Sequence, residues 1–285
     1  SGIWSASYLL GSGSIDTSNR NVSVSATNGN GTTTTPDTTN LTVDNQAPSV
    51  DDANLSISGA SGTGGAYKIG DTVTATWNNT NTGDNNNDIA SVTADFSAFG
   101  GASAVTATNS GGTWTASYTI LAGNIDATNQ NVSLTVTDDA GNVTSRADTS
   151  NATVDTQAPT VTAARISVSG ATGTGGVFKV GDTVTATWNN SASGGDSNAD
   201  TISGVTMNFS QFGGGAAVAA THSGGIWTAT YTIVAGSIDN QNNRNVSVTA
   251  TDNVGNTTTV AGADNVTVDN QPPSAPGAPD LAAAS

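Results

Sequence analysis

The stretch Val154-Asp155-Thr156-Gln157-Ala158-Pro159-Thr160-Val161 has near-copies on either side, at Val43-Asp44-Asn45-Gln46-Ala47-Pro48-Ser49-Val50 and Val268-Asp269-Asn270-Gln271-Pro272-Pro273. The three glutamines are 157 − 46 = 111 and 271 − 157 = 114 residues apart, a period the size of one small domain. A chain with that period is a tandem array, and the joints divide it. Residues 1–45 are the C-terminal half of a repeat, 46–156 and 157–270 are complete repeats, and 271–285 are a linker or the start of a further module.

The half repeat is recognised by alignment: Trp4 and Tyr8 take the places of Trp114 and Tyr118 and of Trp227 and Tyr231. Half a sandwich leaves its inner face uncovered, so the sequence expects the natural protein to continue upstream, or another chain to cover that face. The Pro-rich stretch Ser274-Ala275-Pro276-Gly277-Ala278-Pro279-Asp280 reads as a linker into a divergent module.

Within a repeat, short alternating segments follow one another and no helical period is sustained. Leu55 to Gly59 is a short strand, and a Gly-rich turn follows at 62–65. In the run from Lys68 to Trp77, Val73, Ala75 and Trp77 share one face. That phase makes Trp77 a core anchor. Val92 to Phe96 alternates again, and Trp114, Ala116, Tyr118 and Ile120 face inward with Thr and Ser outward. Val132 to Val136 leads into the turn Asp138-Asp139-Ala140-Gly141-Asn142, and Ala152 to Val154 enters the joint. About seven such strands in roughly 110 residues predict an all-β chain of tandem immunoglobulin-like β-sandwiches in an extended array. The Cys pair of antibody domains is missing, because the chain has no cysteine.

These motifs carry a resemblance. The joints VDTQAPT and VDNQAPS, the strand GDTVTATWNN and the turns TDDAGN and TDNVGN resemble bacterial Ig-like tandem repeats of giant exported surface proteins, the RTX-type and biofilm-associated adhesins. The resemblance covers essentially the whole chain. It implies an extracellular or cell-surface location, a role in cell adhesion and biofilm, and joints stiffened by calcium.

Charge leads toward the same cofactor by another route. Formal net charge is −16, from 22 acidic residues against 6 Lys and Arg. Such a surface repels phosphate backbones, which argues against nucleic acid, and repels itself unless cations are taken up, which makes Ca2+ the first partner to consider. No run of about 20 apolar residues exists and the chain does not begin like a signal peptide, so no direct membrane insertion is expected.

Two sets of residues have the oxygen chemistry calcium takes. The first is the turn with Asp138, Asp139 and Asn142, and its counterpart with Asp252 and Asn256. This turn is expected at the end from which the chain leaves the sandwich, so Asp155 and Asp269 would face it and complete an oxygen shell. The other reading is a turn chosen for backbone geometry, with Asp as a local hydrogen-bond acceptor. The second set is Asp84, Asn86 and Asp88, with Asp196, Asn198 and Asp200 as counterpart. Acids and amides at alternate positions match the start of a calcium loop, but the Gly and Glu that complete one are missing, and a plain solvated loop remains open. Asp16, Asp126 and Asp239 recur in an Ile-Asp turn and read as structural caps. In the half repeat the turn is Asn28-Gly29-Asn30-Gly31-Thr32. It has lost the acid, so the joint at Asp44 is expected to be weaker unless Asp51 and Asp52 compensate.

An enzyme is not expected. His222 is the one histidine and stands where the preceding repeat has Asn109; without Cys, neither a nucleophile-base pair nor a zinc site assembles. The glycines at 62–65 and 173–176 are not followed by the Lys-Ser/Thr of a phosphate cradle. The expected function is a structural extender, a stalk whose partners are the neighbouring repeats of the same chain. The alternative is a surface-layer or filament subunit that contacts other copies of itself. A carbohydrate-binding module is less favoured, because it needs exposed aromatics and only Tyr67, Phe99, Phe178 and Phe212 are expected near loops.

Overall fold

The computed structural model describes residues 2–277. Ser1 and residues 278–285, which take in the second half of the Pro-rich stretch, lie outside the described residues. Among the described residues the chain is all-β, with helix confined to three-residue 3-10 turns, and no helix is long and apolar enough to cross a membrane. It forms two compact units: one holds residues up to 61 and 65–156, the other 62–64 and 157 onward. The half repeat and the first complete repeat thus share a unit.

In the half repeat, β1 (Asp16–Arg20) pairs with β4 (Leu41–Asp44), and β2 (Ser23–Asn28) forms a hairpin with β3 (Gly31–Pro36). The segment that aligns with the Trp114 strand forms no strand here, and Ile3 and Trp4 are each 97% exposed. Tyr8, Leu9, Val22 and Val24 are exposed as well. The counterparts of Trp4, Tyr8, Val22 and Val24 in the complete repeats belong to the cores.

The complete repeat that follows is a β-sandwich. One sheet has the order β10 (Thr108–Ser110), β11 (Thr113–Thr119), β7 (Thr72–Asn78) and β5 (Leu55–Ser58). The other has β14 (Val143–Ala147), β13 (Ser133–Asp138), β8 (Ile89–Asp95) and β9 (Val105–Thr106). A small third sheet joins β12 (Asp126–Gln130), β15 (Ala152–Asp155) and β6 (Tyr67–Lys68). In the β7–β11 ladder Trp77 lies opposite Trp114 and Val73 opposite Tyr118. The inward phase meets Phe96, Leu134 and Val136 from the other sheet in one core. Tyr67 and Phe99, expected near loops, are instead buried in that core and stack edge to face at 5.2 Å. The placement near loops is corrected to the core: aromatics this large are drawn there because they remove the most apolar area from water.

The run from Lys68 to Trp77 is two strands, not one. Between them Asp71 turns the chain: its Oδ2 accepts from the Ser61 and Lys68 N–H groups, each at 3.0 Å, and its Oδ1 from the Ser61 hydroxyl. This lets β6 run parallel to β15 while β7 joins the large sheet.

Residues 157 onward repeat the plan. β16 (Ile166–Ser169), β18 (Thr183–Asn189), β22 (Ile226–Thr232) and β21 (Thr221–Ser223) make one sheet, with β17 (Phe178–Lys179) set between the first two in sequence. β19 (Ile202–Asn208), β20 (Val218–Ala219), β24 (Ser247–Asp252) and β25 (Thr257–Ala261) make the second. β17, β26 (Val266–Asp269) and β23 (Gln241–Arg244) make the third. Trp188, Phe209 and Met207 fill the core, and Phe178 and Phe212 are buried as an edge-to-face pair at 5.5 Å. Asp182 repeats the role of Asp71, accepting from Thr172 N–H and Lys179 N–H at 3.0 Å and from the Thr172 hydroxyl at 2.5 Å.

Burial works to raise the pKa of Asp71 and Asp182, but their hydrogen bonds and the nearby Lys68 and Lys179 hold both below the usual carboxylate value. A depressed folded pKa contributes stability that is present above the unfolded value, near 3.8, and lost as pH falls through the folded value. Asp71→Asn and Asp182→Asn are each expected to cost about 1.5–3 kcal/mol at neutral pH through lost charge-assisted bonds. Both should also flatten the acid limb of stability against pH in chemical denaturation; an unchanged limb would contradict the role.

A second device recurs in all three repeats. Asn131 Nδ2 donates to Asn151 Oδ1 while Asn151 N–H donates back to Asn131 Oδ1, at 3.0 and 2.7 Å. Asn245 with Asn265, and Asn21 with Asn40, make the same reciprocal clasp. In each pair the second Asn has positive φ, between 51° and 56°, a conformation Asn tolerates better than most side chains.

Candidate metal centre

The first unit gathers three acids at the end where the chain arrives from the half repeat. Asp44 closes β4, Asp88 ends the loop between β7 and β8, and Asp138 closes β13. One carboxylate oxygen from each lies within 4.8 Å of the others. Asp16 sits opposite Asp44 in the β1–β4 pairing. A cleft of about 170 Å³ lined by Asp16, Gln46, Pro48 and the 84–88 loop adjoins them, room for an ion and several waters.

Each acid is held by its own local structure. Asp138 is 2% exposed; its Oδ1 accepts from Ala140 N–H at 3.1 Å and Asn142 N–H at 2.7 Å, and its Oδ2 from Asn142 Nδ2 at 2.9 Å. The turn therefore wraps the carboxylate, and Asp139 N–H donates to the Asp88 carbonyl at 2.9 Å, tying turn to loop. Asp44 Oδ1 accepts from Gln46 N–H at 3.0 Å, while its Oδ2 is buried with no hydrogen-bond partner. A buried carboxylate oxygen left bare beside two further carboxylates is costly unless something positive meets it. Asp88 shows that cost: burial, with Asp138, Asp16 and Asp44 nearby, raises its pKa above the ordinary value.

The loop that sets Asp88 depends on Gly83. A Cβ there would stand 2.1 Å from the Asn78 carbonyl oxygen, so a side chain at this position blocks the closure. Asp84, expected as a ligand, is instead a structural hub. It accepts from Trp77 Nε1 at 2.6 Å, Asp51 N–H at 3.0 Å and Asn54 Nδ2 at 2.8 Å. Asn86 is a clasp on the incoming joint, accepting from Ser49 N–H at 2.8 Å and donating to the Ser49 carbonyl at 2.9 Å. Of that trio only Asp88 joins the acid group. Asp196 and Asn198 repeat these structural roles: Asp196 accepts from Trp188 Nε1 at 2.7 Å and Thr162 N–H at 2.9 Å, and Asn198 pairs both ways with Thr160.

The expectation that Asp155 faces the Asp138 turn is corrected. Asp138 lies at the Ile89 end of the β8–β13 ladder, while Asp155 lies opposite Asp126 and beside Lys68, at the other end of the sandwich. After the turn, β14 runs back along β13 before the chain reaches β15, so a hairpin turn and the chain's exit fall at opposite ends. Asp44 accordingly meets acids of the following repeat and not the turn of its own half repeat. Asp51 and Asp52 do not compensate. Asp51 caps the 3-10 turn through Ala53 N–H, and Asp52 Oδ2 accepts from the Thr149 hydroxyl at 2.6 Å. Asp139 is exposed and outside the group of three, and Asn142 serves it by positioning Asp138.

In the second unit, Asp252 Oδ1 accepts from Val254, Gly255 and Asn256 N–H at 3.0, 2.7 and 2.8 Å. Its Oδ2 is buried without a hydrogen-bond partner. Asp200 holds the position of Asp88 and is half-buried, and Asn256 is buried in the turn. Asp269 closes β26 beside Lys179, as Asp155 closes β15 beside Lys68. The residues missed from sequence are Asp44 as a member of the group and Asp16 as its neighbour. The available signal was that Asp44, Asp155 and Asp269 hold the same place in each joint.

No protein-family model and no curated protein matches the chain. Among solved structures it is similar to SGBP-B of the Bacteroides ovatus mixed-linkage glucan utilization locus, in complex with a mixed-linkage heptasaccharide. The identity is 14% and the TM-score 0.19, over 87% of this chain and 53% of that one, so the chain spans about half that protein's length.

Proposed function

We propose that this chain is a structural extender segment of a large exported surface protein, a stalk in which calcium stiffens the joint between consecutive repeats. The observation that carries the reading is the convergence of Asp44, Asp88 and Asp138, with a bare buried oxygen on Asp44. Asp44 belongs to the outgoing strand of one repeat, and Asp88 and Asp138 to the next. An ion held by all three is therefore bound only when the joint is ordered.

The donor set suits calcium. Every donor is an oxygen, from carboxylates with water and loop carbonyls to fill the shell, and hard oxygen sites favour calcium over the softer transition metals. The ion supplies positive charge where three acids repel. Asp138 and Asp88 are held in place by the turn and the Gly83 loop, while Asp44 and Asp16 come with the half repeat. The sequence carries the same acids at Asp155, Asp200 and Asp252, which makes the trio a property of the repeat and not of one loop.

Ions that bind only the ordered joint stabilise it by mass action, and chelation returns the acids to mutual repulsion. Small-angle scattering of the full chain in calcium and after chelation tests this. A narrower spread of interparticle distances and a longer, better defined maximum dimension are expected with calcium. Superimposable profiles would end the joint-stiffening reading.

A further inference from the structure

We propose that Asn28 is a site of spontaneous deamidation, which converts the neutral turn of the half repeat into the acidic turn of the complete repeats. Asn-Gly steps occur in this sequence at Asn28-Gly29 and Asn30-Gly31, both in the turn between β2 and β3. Asn28 is exposed, and a Cβ added at Gly29 or Gly31 meets nothing within 4 Å. Among the described residues no hydrogen bond engages the Gly29 N–H. The nucleophile of the reaction is thus unhindered and uncommitted.

The chemistry needs water alone. The Gly29 backbone nitrogen attacks Asn28 Cγ, a C–N bond forms, the Cγ–Nδ2 bond breaks and ammonia leaves. Water then opens the five-membered imide at either carbonyl, giving aspartate or isoaspartate. Glycine at the next position favours the attack because it lacks the Cβ that obstructs approach and lets the backbone adopt the needed dihedrals.

A second observation separates Asn28 from Asn30. Asn28 closes β2 as Asp138 closes β13 and Asp252 closes β24. Its Oδ1 accepts from Asn30 N–H at 2.8 Å, the bond that Asp138 Oδ1 makes to Ala140 N–H at 3.1 Å and Asp252 Oδ1 to Val254 N–H at 3.0 Å. The amide already occupies the carboxylate's place, and an aspartate there keeps the bond in charge-assisted form. Asn30 stands where those turns have Ala140 and Val254, with no acid to reproduce. The inference does not depend on calcium.

The test is to incubate the full chain, folded and in denaturant, at mildly alkaline pH and map peptides by mass spectrometry. In the folded chain, a gain of one mass unit at residue 28 is expected about tenfold faster than at Asn109, which precedes Ser110, and Gly29→Ala should slow it to the Asn109 rate. Retention of the Asn28 amide in the folded chain while the denatured chain converts would overturn the proposal. So would conversion at Asn30 alone.

Discussion

Trp77→Ala is expected to destabilise the first unit by about 3–5 kcal/mol, the range for truncating a fully buried large aromatic, with Trp188→Ala doing the same in the second. Both indoles are fully buried at the centre of their cores. Each also donates its Nε1–H to the Asp that organises the adjacent loop, Asp84 or Asp196, at 2.6 and 2.7 Å. The alanine variant therefore creates a cavity and strips a donor from a carboxylate. Trp77→Phe keeps most of the volume and isolates the second effect, for which about 1.5–3 kcal/mol is expected, as for a hydrogen bond to a charged group. Denaturant unfolding with far-UV detection measures both. A loss below about 1 kcal/mol for Trp77→Ala would mean that the site collapses without a cavity.

Asp88→Asn is expected to change sign with calcium. In metal-free protein it removes a charge that burial and Asp138, Asp16 and Asp44 oppose, so the variant should be as stable as the parent at neutral pH or more so. The raised folded pKa of Asp88 contributes stability that is complete below the unfolded value and is lost as pH rises through the folded one. The metal-free parent therefore gives up this contribution as pH climbs above 3.8. With calcium at about a hundred times its Kd, the parent gains about 2.7 kcal/mol, and the variant should lose most of that gain. Thermal unfolding of both proteins with calcium and with chelator shows the crossover. Equal calcium responses would remove Asp88 from the site.

The two predictions meet in one loop. Residues 84–88 use their first acid to seat Trp77, their amide to hold the incoming Ser49, and their last acid to face Asp44 and Asp138. From sequence alone these oxygen-bearing residues look interchangeable. They differ in what surrounds them: an indole N–H and the Asn54 amide fix Asp84 and a joint peptide fixes Asn86, so both are committed to structural bonds and only Asp88 stands with Asp44 and Asp138.

The inward phase of Val73, Ala75 and Trp77, the strand from Thr113 to Thr119 and the repeat spacing were legible because period-two alternation and recurrence are local properties of the chain. The break between Lys68 and Thr72 was not, because it depends on Ser61 donating to Asp71 from ten residues away. Nor were the aromatics Tyr67 and Phe99, whose places follow from packing across the two sheets.

The sequence by itself determined that the protein is a tandem array of all-β repeats with an acid at every joint and in every complete turn. Only the tertiary structure decided which acids meet. A β-hairpin reverses the chain, so the Asp138 turn lies at the end where the previous repeat arrives, and Asp138 joins Asp44 and not Asp155. Spacing along the chain records which oxygens are available; strand direction in the folded sandwich sets the end at which each is presented.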